Sequence, residues 1–146
     1  ATVFGMSPRM RIDLLVNDFT YRAVNDGFIV LFESHFKRNY IHINDVSRVF
    51  LHGINNFKSM KNNIYNVGLS DTNISKLELC QIIKEFINNF KILEESFTND
   101  PDQRNYIVSN EKIEKTGFKT NFSIRDGIQE LIKGYKMIQN SKYGNI

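Results

Sequence analysis

Phe36-Lys37-Arg38-Asn39-Tyr40-Ile41-His42-Ile43-Asn44-Asp45-Val46 places a basic residue, a short apolar strand and a helix start within a single tract. An arginine at a strand edge is a workable phosphate grip, because its planar fork of donors takes two oxygens at once, which lysine does not. Arg38 alone also reads as a solvated surface arginine. Two later tracts follow in order, Tyr65-Asn66-Val67-Gly68 and Asp102-Gln103-Arg104-Asn105-Tyr106-Ile107-Val108-Ser109. Arg104 faces the same choice, with Asp102 as a partner either for a ribose or for the guanidinium. Two arginines converging on one diphosphate would balance its charge.

Outward from that tract, helical and strand periods alternate. Asp13 to Asn25 carries Leu14, Leu15, Phe19 and Val24 at helical spacing and closes on Asp26-Gly27, where glycine can take the left-handed C-terminal position. Phe28 to Phe32 is a continuous apolar run that predicts a buried strand, and Tyr40 to Ile43 reads as a second, short strand. Asp45 or Asn44 is expected to cap a helix with Val46, Val49, Phe50 and Ile54 on its inner face. Ile64 to Val67 reads as a strand ended by Gly68, and Ser70 to Asn73 as a loop. Ser75 and Glu78 form a capping box ahead of a helix packed through Leu79, Ile82, Ile83, Phe86 and Ile87. A strand is expected over Ile92 to Phe97, a loop over Asn99 to Asp102, and a short helix from Asn110 to Lys115 stopped at Gly117. A last helix starts at Ser123, with Ile124, Ile128, Leu131, Ile132 and Tyr135 on one face.

The chain has 146 residues, 41% hydrophobic and 24% charged, an ordinary globular balance. Its formal charge of +3 and pI near 9.0 come from basic residues interspersed with acids, so nucleic-acid binding is not expected. The single Cys80 lies in the apolar pattern of a helix and reads as a small buried hydrophobe in a reducing, cytoplasmic setting. No apolar run approaches the ~20 residues needed to span a bilayer, and no membrane partner is expected. The chain opens on Ala1 with a β-prone triplet running into Gly5, which reads as a sequence cut inside a strand.

Catalytic patterns are scarce. There is no Gly-x-Ser-x-Gly elbow, Walker loop or Gly-rich dinucleotide fingerprint. Glu33, Glu94 and Glu95 read as surface carboxylates. Alternation sets His42 opposite Ile41 and Ile43; with three His and one Cys in all, it reads as a residue that bonds backbone or packs beside the site rather than as a metal ligand.

These tracts, in their order, resemble the C-terminal, substrate-binding half of the extended short-chain dehydrogenase/reductases, the NAD(P)-dependent epimerases and dehydratases of nucleotide sugars. The resemblance runs from Thr2-Val3-Phe4-Gly5 to the last helix, through Lys112-Ile113, Gly117-Phe118 and Asp126-Gly127-Ile128. It implies an α/β fold: the last Rossmann strand with its loop over residues 1–12, a small mixed α/β substrate-binding domain over 13–139, and a frayed tail over 140–146.

By the same resemblance Thr2 contacts substrate and Val3, where a proline often sits, lies beside the cofactor. Asn17 bonds the diphosphate near a helix start, Phe32 lines the base, Arg38 grips a phosphate, and Asp102 and Arg104 close the other side. Asn39 stands where Asp is frequent. The family's Gly-x-x-Gly-x-x-Gly loop and Tyr-x-x-x-Lys pair, which bind NAD or NADP and move the proton, do not occur in this sequence. The resemblance therefore implies a fragment that binds a nucleotide-diphosphate sugar, carries no cofactor alone and is inactive without an N-terminal Rossmann domain, with a homodimer as a further expectation. A non-catalytic nucleotide- or partner-binding module of the same fold is the alternative.

Overall fold

The structure, a computed structural model, describes residues 1–95 and 104–138. Strand β1 (Thr2–Phe4) runs through a loop into helix α1 (Leu15–Asn25), and the chain leaves α1 through Gly27 at φ +75°. The left-handed turn carries the Gly27 N–H back to the Arg22 carbonyl, closing the helix as its glycine predicts. Strand β2 (Phe28–Phe32) follows, then β3 (Lys37–Arg38), β4 (Tyr40–His42), helix α2 (Ile43–Asn55) and the short α3 (Phe57–Met60). Strand β5 (Ile74–Ser75), helix α4 (Lys76–Phe86), strand β6 (Lys91–Glu95) and helices α5 (Glu111–Glu114) and α6 (Ile124–Met137) complete the described chain.

Three two-stranded ladders result among the described residues. β1 pairs β4 in parallel with Thr2 opposite Tyr40 and Phe4 opposite His42; β2 pairs β6 in parallel; β3 pairs β5 antiparallel. Parallel partners need a long connection, and helices supply it. Helix α1 packs on α4 and α6, and their apolar stripes interdigitate: Val16, Phe19 and Ala23 with Leu79, Cys80 and Ile83, and with Ile128, Leu131, Ile132 and Tyr135. Phe4 on β1 joins the same core, and the Tyr135 hydroxyl donates to the Asn17 carbonyl at 3.1 Å. The mixed α/β architecture is the one the sequence implies.

Four local expectations are corrected. Ile64 to Val67 forms no strand, and Ile64 is 88% exposed; β propensity alone does not hold a segment that no neighbouring strand pairs. The run Phe28–Phe32 is a strand, but its residues alternate, with Ile29 and Leu31 buried and Phe28 and Val30 exposed. On α2, Phe50 and Ile54 face outward rather than inward. The α2 N-cap is His42, whose Nδ1 accepts the Asn44 N–H; Asp45, fully buried, instead accepts the N–H groups of Asn121 and Phe122. The expected strand begins at Lys91 rather than Ile92, while Phe97, the 99–102 loop and the 140–146 tail lie outside the described residues. No described helix is long and apolar enough to cross a membrane.

Candidate functional site

The Thr2 N–H donates to the Asn39 carbonyl at 2.7 Å, extending the β1–β4 ladder toward β3. That register sets Thr2 and Val3 beside Arg38. The loop after β1 returns past them with Arg11, Asp13 and Leu14, and the segment after residue 103 crosses with Arg104 and Tyr106. Together they line a cavity of about 360 Å³.

Arg38 is 1% exposed yet lines this cavity. Its backbone neighbour takes one donor, Nη1 to the Lys37 carbonyl at 3.1 Å, and its Cζ lies 5.3 Å from the Tyr106 ring centroid. A cation–π contact at this distance adds attraction between the guanidinium and the ring face. A buried cation keeps a strong field because little water screens it. Arg11 adds a further positive group, bound through Nε to Asp13 at 2.8 Å. That hydrogen bond, helped by the charge of Arg11, holds the Asp13 carboxyl below the usual carboxylate range. Three guanidiniums, Arg11, Arg38 and Arg104, thus surround one hollow whose lining includes one carboxylate.

A second hollow of about 420 Å³ lies between α1 and β2, lined among others by Asp18, Phe28, Phe32 and Lys76. Asp13 and Leu15 line both hollows, so the two adjoin. Lys76 is 2% exposed and its Nζ donates to the Phe32 carbonyl at 2.9 Å. Phe32 therefore belongs to the adjoining hollow, not to the arginine-lined one.

The structure gathers Thr2, Val3, Arg38 and Arg104 in one cavity. It does not bring Asn17 there: the Asn17 amide is buried, accepting from the Gly5 N–H at 3.2 Å and donating to the Arg11 carbonyl at 3.0 Å. Asn17 ties down both ends of the loop that carries Arg11. Asp102 lies outside the described residues. Sequence reading missed Arg11, Asp13 and Tyr106 as lining residues. The alternation Arg104-Asn105-Tyr106 held a signal for the last, since it places Tyr106 on the face of Arg104.

His42 is buried against Phe122, with ring centroids 4.4 Å apart, and edge-on to Phe4. Its Nε2 lies 3.2 Å from Glu130 Oε2, near enough for electrostatic contact but without hydrogen-bond geometry. Burial pushes the Cys80 thiol up to about 12, which rules it out as a thiolate nucleophile at neutral pH. Burial likewise raises the Tyr40 phenol. No group of three or more His, Cys, Asp or Glu suited to a metal occurs among the described residues.

No protein-family model matches the sequence. Solved structures do. One is a mutant UDP-glucuronic acid 4-epimerase from Bacillus cereus in complex with UDP-4-deoxy-4-fluoro-glucuronic acid and NAD, with TM-score 0.77, 17% identity, and coverage of 94% of this chain and 43% of that one. RMD from Pseudomonas aeruginosa complexed with NADPH matches at TM-score 0.75 and 13% identity over 93% of this chain and 46% of its own. The ADP-L-glycero-D-manno-heptose-6-epimerase of Helicobacter pylori matches at TM-score 0.70 and 21% identity, over 92% and 42%. The chain spans under half the length of these enzymes. Its mixed α/β fold is theirs over that portion.

Proposed function

We propose that this chain is the substrate-holding part of an NAD(P)-dependent nucleotide-sugar epimerase or dehydratase, and that its arginine-lined cavity takes the diphosphate. The observation that carries this reading is the convergence of Thr2, Arg38 and Arg104, distant in sequence, on one hollow. The adjoining hollow beside Phe32 and Lys76 is where the nucleoside would extend. In support, the B. cereus neighbour is a complex with a UDP-sugar and NAD.

Within this reading the chain's own residues bind and orient. The Arg38 fork, beside the Tyr106 ring, takes phosphate oxygens bidentately; Arg104 balances the remaining charge; Thr2 is the candidate contact to the sugar. Binding energy from the remote diphosphate then fixes the position of the sugar carbon to be oxidised. NAD(P), when bound, supplies the hydride acceptor, and Val3 is this chain's candidate contact to it. No glycine loop or Tyr-x-x-x-Lys exists in the sequence to hold that cofactor or move the proton. A Rossmann domain outside this chain is therefore part of the proposal, with the exposed α2 side chains Phe50 and Ile54 as surface for it to cover. Alone, the chain binds without turnover.

Calorimetric titration with UDP-, dTDP-, GDP- and CDP-sugars tests the assignment. Loss of the fork in Arg38→Ala is expected to weaken binding by at least tenfold, about 1.4 kcal/mol, and Arg38→Lys to restore only part of it. Binding of none of the four, or binding indifferent to Arg38→Ala, would overturn the diphosphate site.

A further inference from the structure

We infer that Asn39 and Asn73 are positioning residues: a relay of two side-chain amides that holds the Arg104–Val108 segment in place as a wall of the arginine-lined cavity. The ligand in question is the diphosphate proposed above, so the functional half of the inference rests on that reading.

The segment forms no strand or helix, so its position must come from elsewhere. Asn73 supplies it in the manner of a strand partner: its Oδ1 accepts the Val108 N–H at 2.8 Å and its Nδ2 donates to the Val108 carbonyl at 3.0 Å. Two residues earlier the Tyr106 N–H reaches the Lys37 carbonyl at 3.2 Å, and Asn105 Oδ1 accepts the Lys37 N–H at 2.9 Å. One end of the segment is thus held by β3 and the other by Asn73, with Arg104 and Tyr106 facing the cavity.

Asn39 orients Asn73. It is fully buried, and its Nδ2 donates to the Leu69 carbonyl at 2.7 Å and to Asn73 Oδ1 at 3.2 Å. Both acceptors are oxygens, so an amide is required here and a carboxylate has nothing to donate. The amide cannot turn over either. Flipped, its oxygen would face those two oxygens; as it stands, Oδ1 rests against Gly68, where an added Cβ would lie 1.7 Å away. Asn73 is bound by the same logic: turning it would present Nδ2 to the Val108 N–H, donor against donor. Each amide therefore has one orientation in which its donors meet acceptors, Asn39 Oδ1 being left without a hydrogen bond against Gly68, and the relay runs from the buried residue before β4 to the cavity wall.

Hydrogen–deuterium exchange on the full chain, combined with titration by UDP, GDP, dTDP and CDP, tests the relay. In Asn73→Ala the amides of Tyr106 and Val108 are expected to exchange about tenfold faster while those of α4 and α6 stay unchanged. Affinity for whichever diphosphate the parent binds should fall about tenfold. In an Arg104→Ala background the same substitution should add less than about twofold, because it acts through the wall that Arg104 occupies. Asn39→Asp, isosteric but without a donor, should reproduce the exchange pattern; if it does not fold, Asn73→Ala alone decides. Unchanged exchange at Val108 would overturn the relay, and undiminished loss of affinity in the Arg104→Ala background would overturn its positioning role. Should the parent bind none of the four diphosphates, the ligand reading falls while the exchange measurement still judges the relay.

Discussion

At the scale of single residues, Asp45 in the opening tract serves the scaffold in a way its spacing does not announce. Asp45 stands at the place of a helix cap, and the sequence offers no reason to bury it. Its partners are the backbone N–H groups of Asn121 and Phe122, far along the chain, together with Arg48. These fasten the loop before α6, including the Phe122 ring that stacks on His42. Removing a buried acceptor strands its donors, which costs more than the bond contributed. Asp45→Ala is therefore expected to destabilise the chain by about 2 to 3 kcal/mol and to lower Tm by roughly 5 to 10 °C, read by thermal denaturation; a shift under about 1 °C would show that the loop is held elsewhere. Gly68 illustrates the same gap. It reads as a strand terminator, yet its φ is not positive and its role is steric, leaving room for Asn39. Which distant group a residue meets is a tertiary fact, and local patterns carry no trace of it.

Elements were far more legible where the pattern is self-contained. The capping box at Ser75 and the inward face of the helix from Ser123 are both present as read, because caps and 3.6-residue stripes are satisfied within one segment. Ser123 also forms a second capping box, with Asp126. Both boxes make a prediction about acid. The Ser75 backbone N–H and then its hydroxyl hold the Glu78 carboxyl below the usual carboxylate range; for Asp126 the Ser123 hydroxyl leads, followed by its N–H. A carboxylate depressed in the folded state stabilises it above its unfolded pKa, about 4, and that contribution disappears as pH falls through the lower folded value. The double variant Glu78→Gln, Asp126→Asn should be less stable than the parent by about 1 kcal/mol at pH 7. Urea denaturation repeated at falling pH should show that difference closing below about pH 4; a gap that persists at pH 2 would assign it to packing instead. Strands were read less well for the converse reason. Ile64 to Val67 has the composition of a strand but no pairing partner among the described residues, and a strand exists only as half of a pair.

For the whole molecule, residues that share a cavity come from separate stretches of sequence, and faces that read as buried are open. Thr2, Val3, Arg38 and Arg104 line one cavity, while Asn17 and Phe32 do not, and Arg11 and Asp13 enter it through the path of a loop. The apolar face of α2 is the clearest misreading: Phe50 is 69% exposed and Ile54 70%, with Leu51 at 60% and, on the following α3, Phe57 at 64%. Periodicity reports that a face is apolar, not what covers it. The β2–β6 ladder repeats the pattern, since Phe28, Val30 and Leu93 are exposed there. Clusters of this kind mark surfaces that associate, so the chain in isolation should self-associate, with scattered light rising with concentration. Because those α2 side chains touch little within the chain, replacing Phe50 and Ile54 by serine should suppress the association while changing stability by no more than about 0.5 kcal/mol. Light scattering and thermal denaturation separate the alternatives. A soluble double variant with unchanged Tm shows that the α2 face is open for a covering domain; a large fall in Tm would show that the face already packs within this chain, and would remove α2 as the surface on which a Rossmann domain sits.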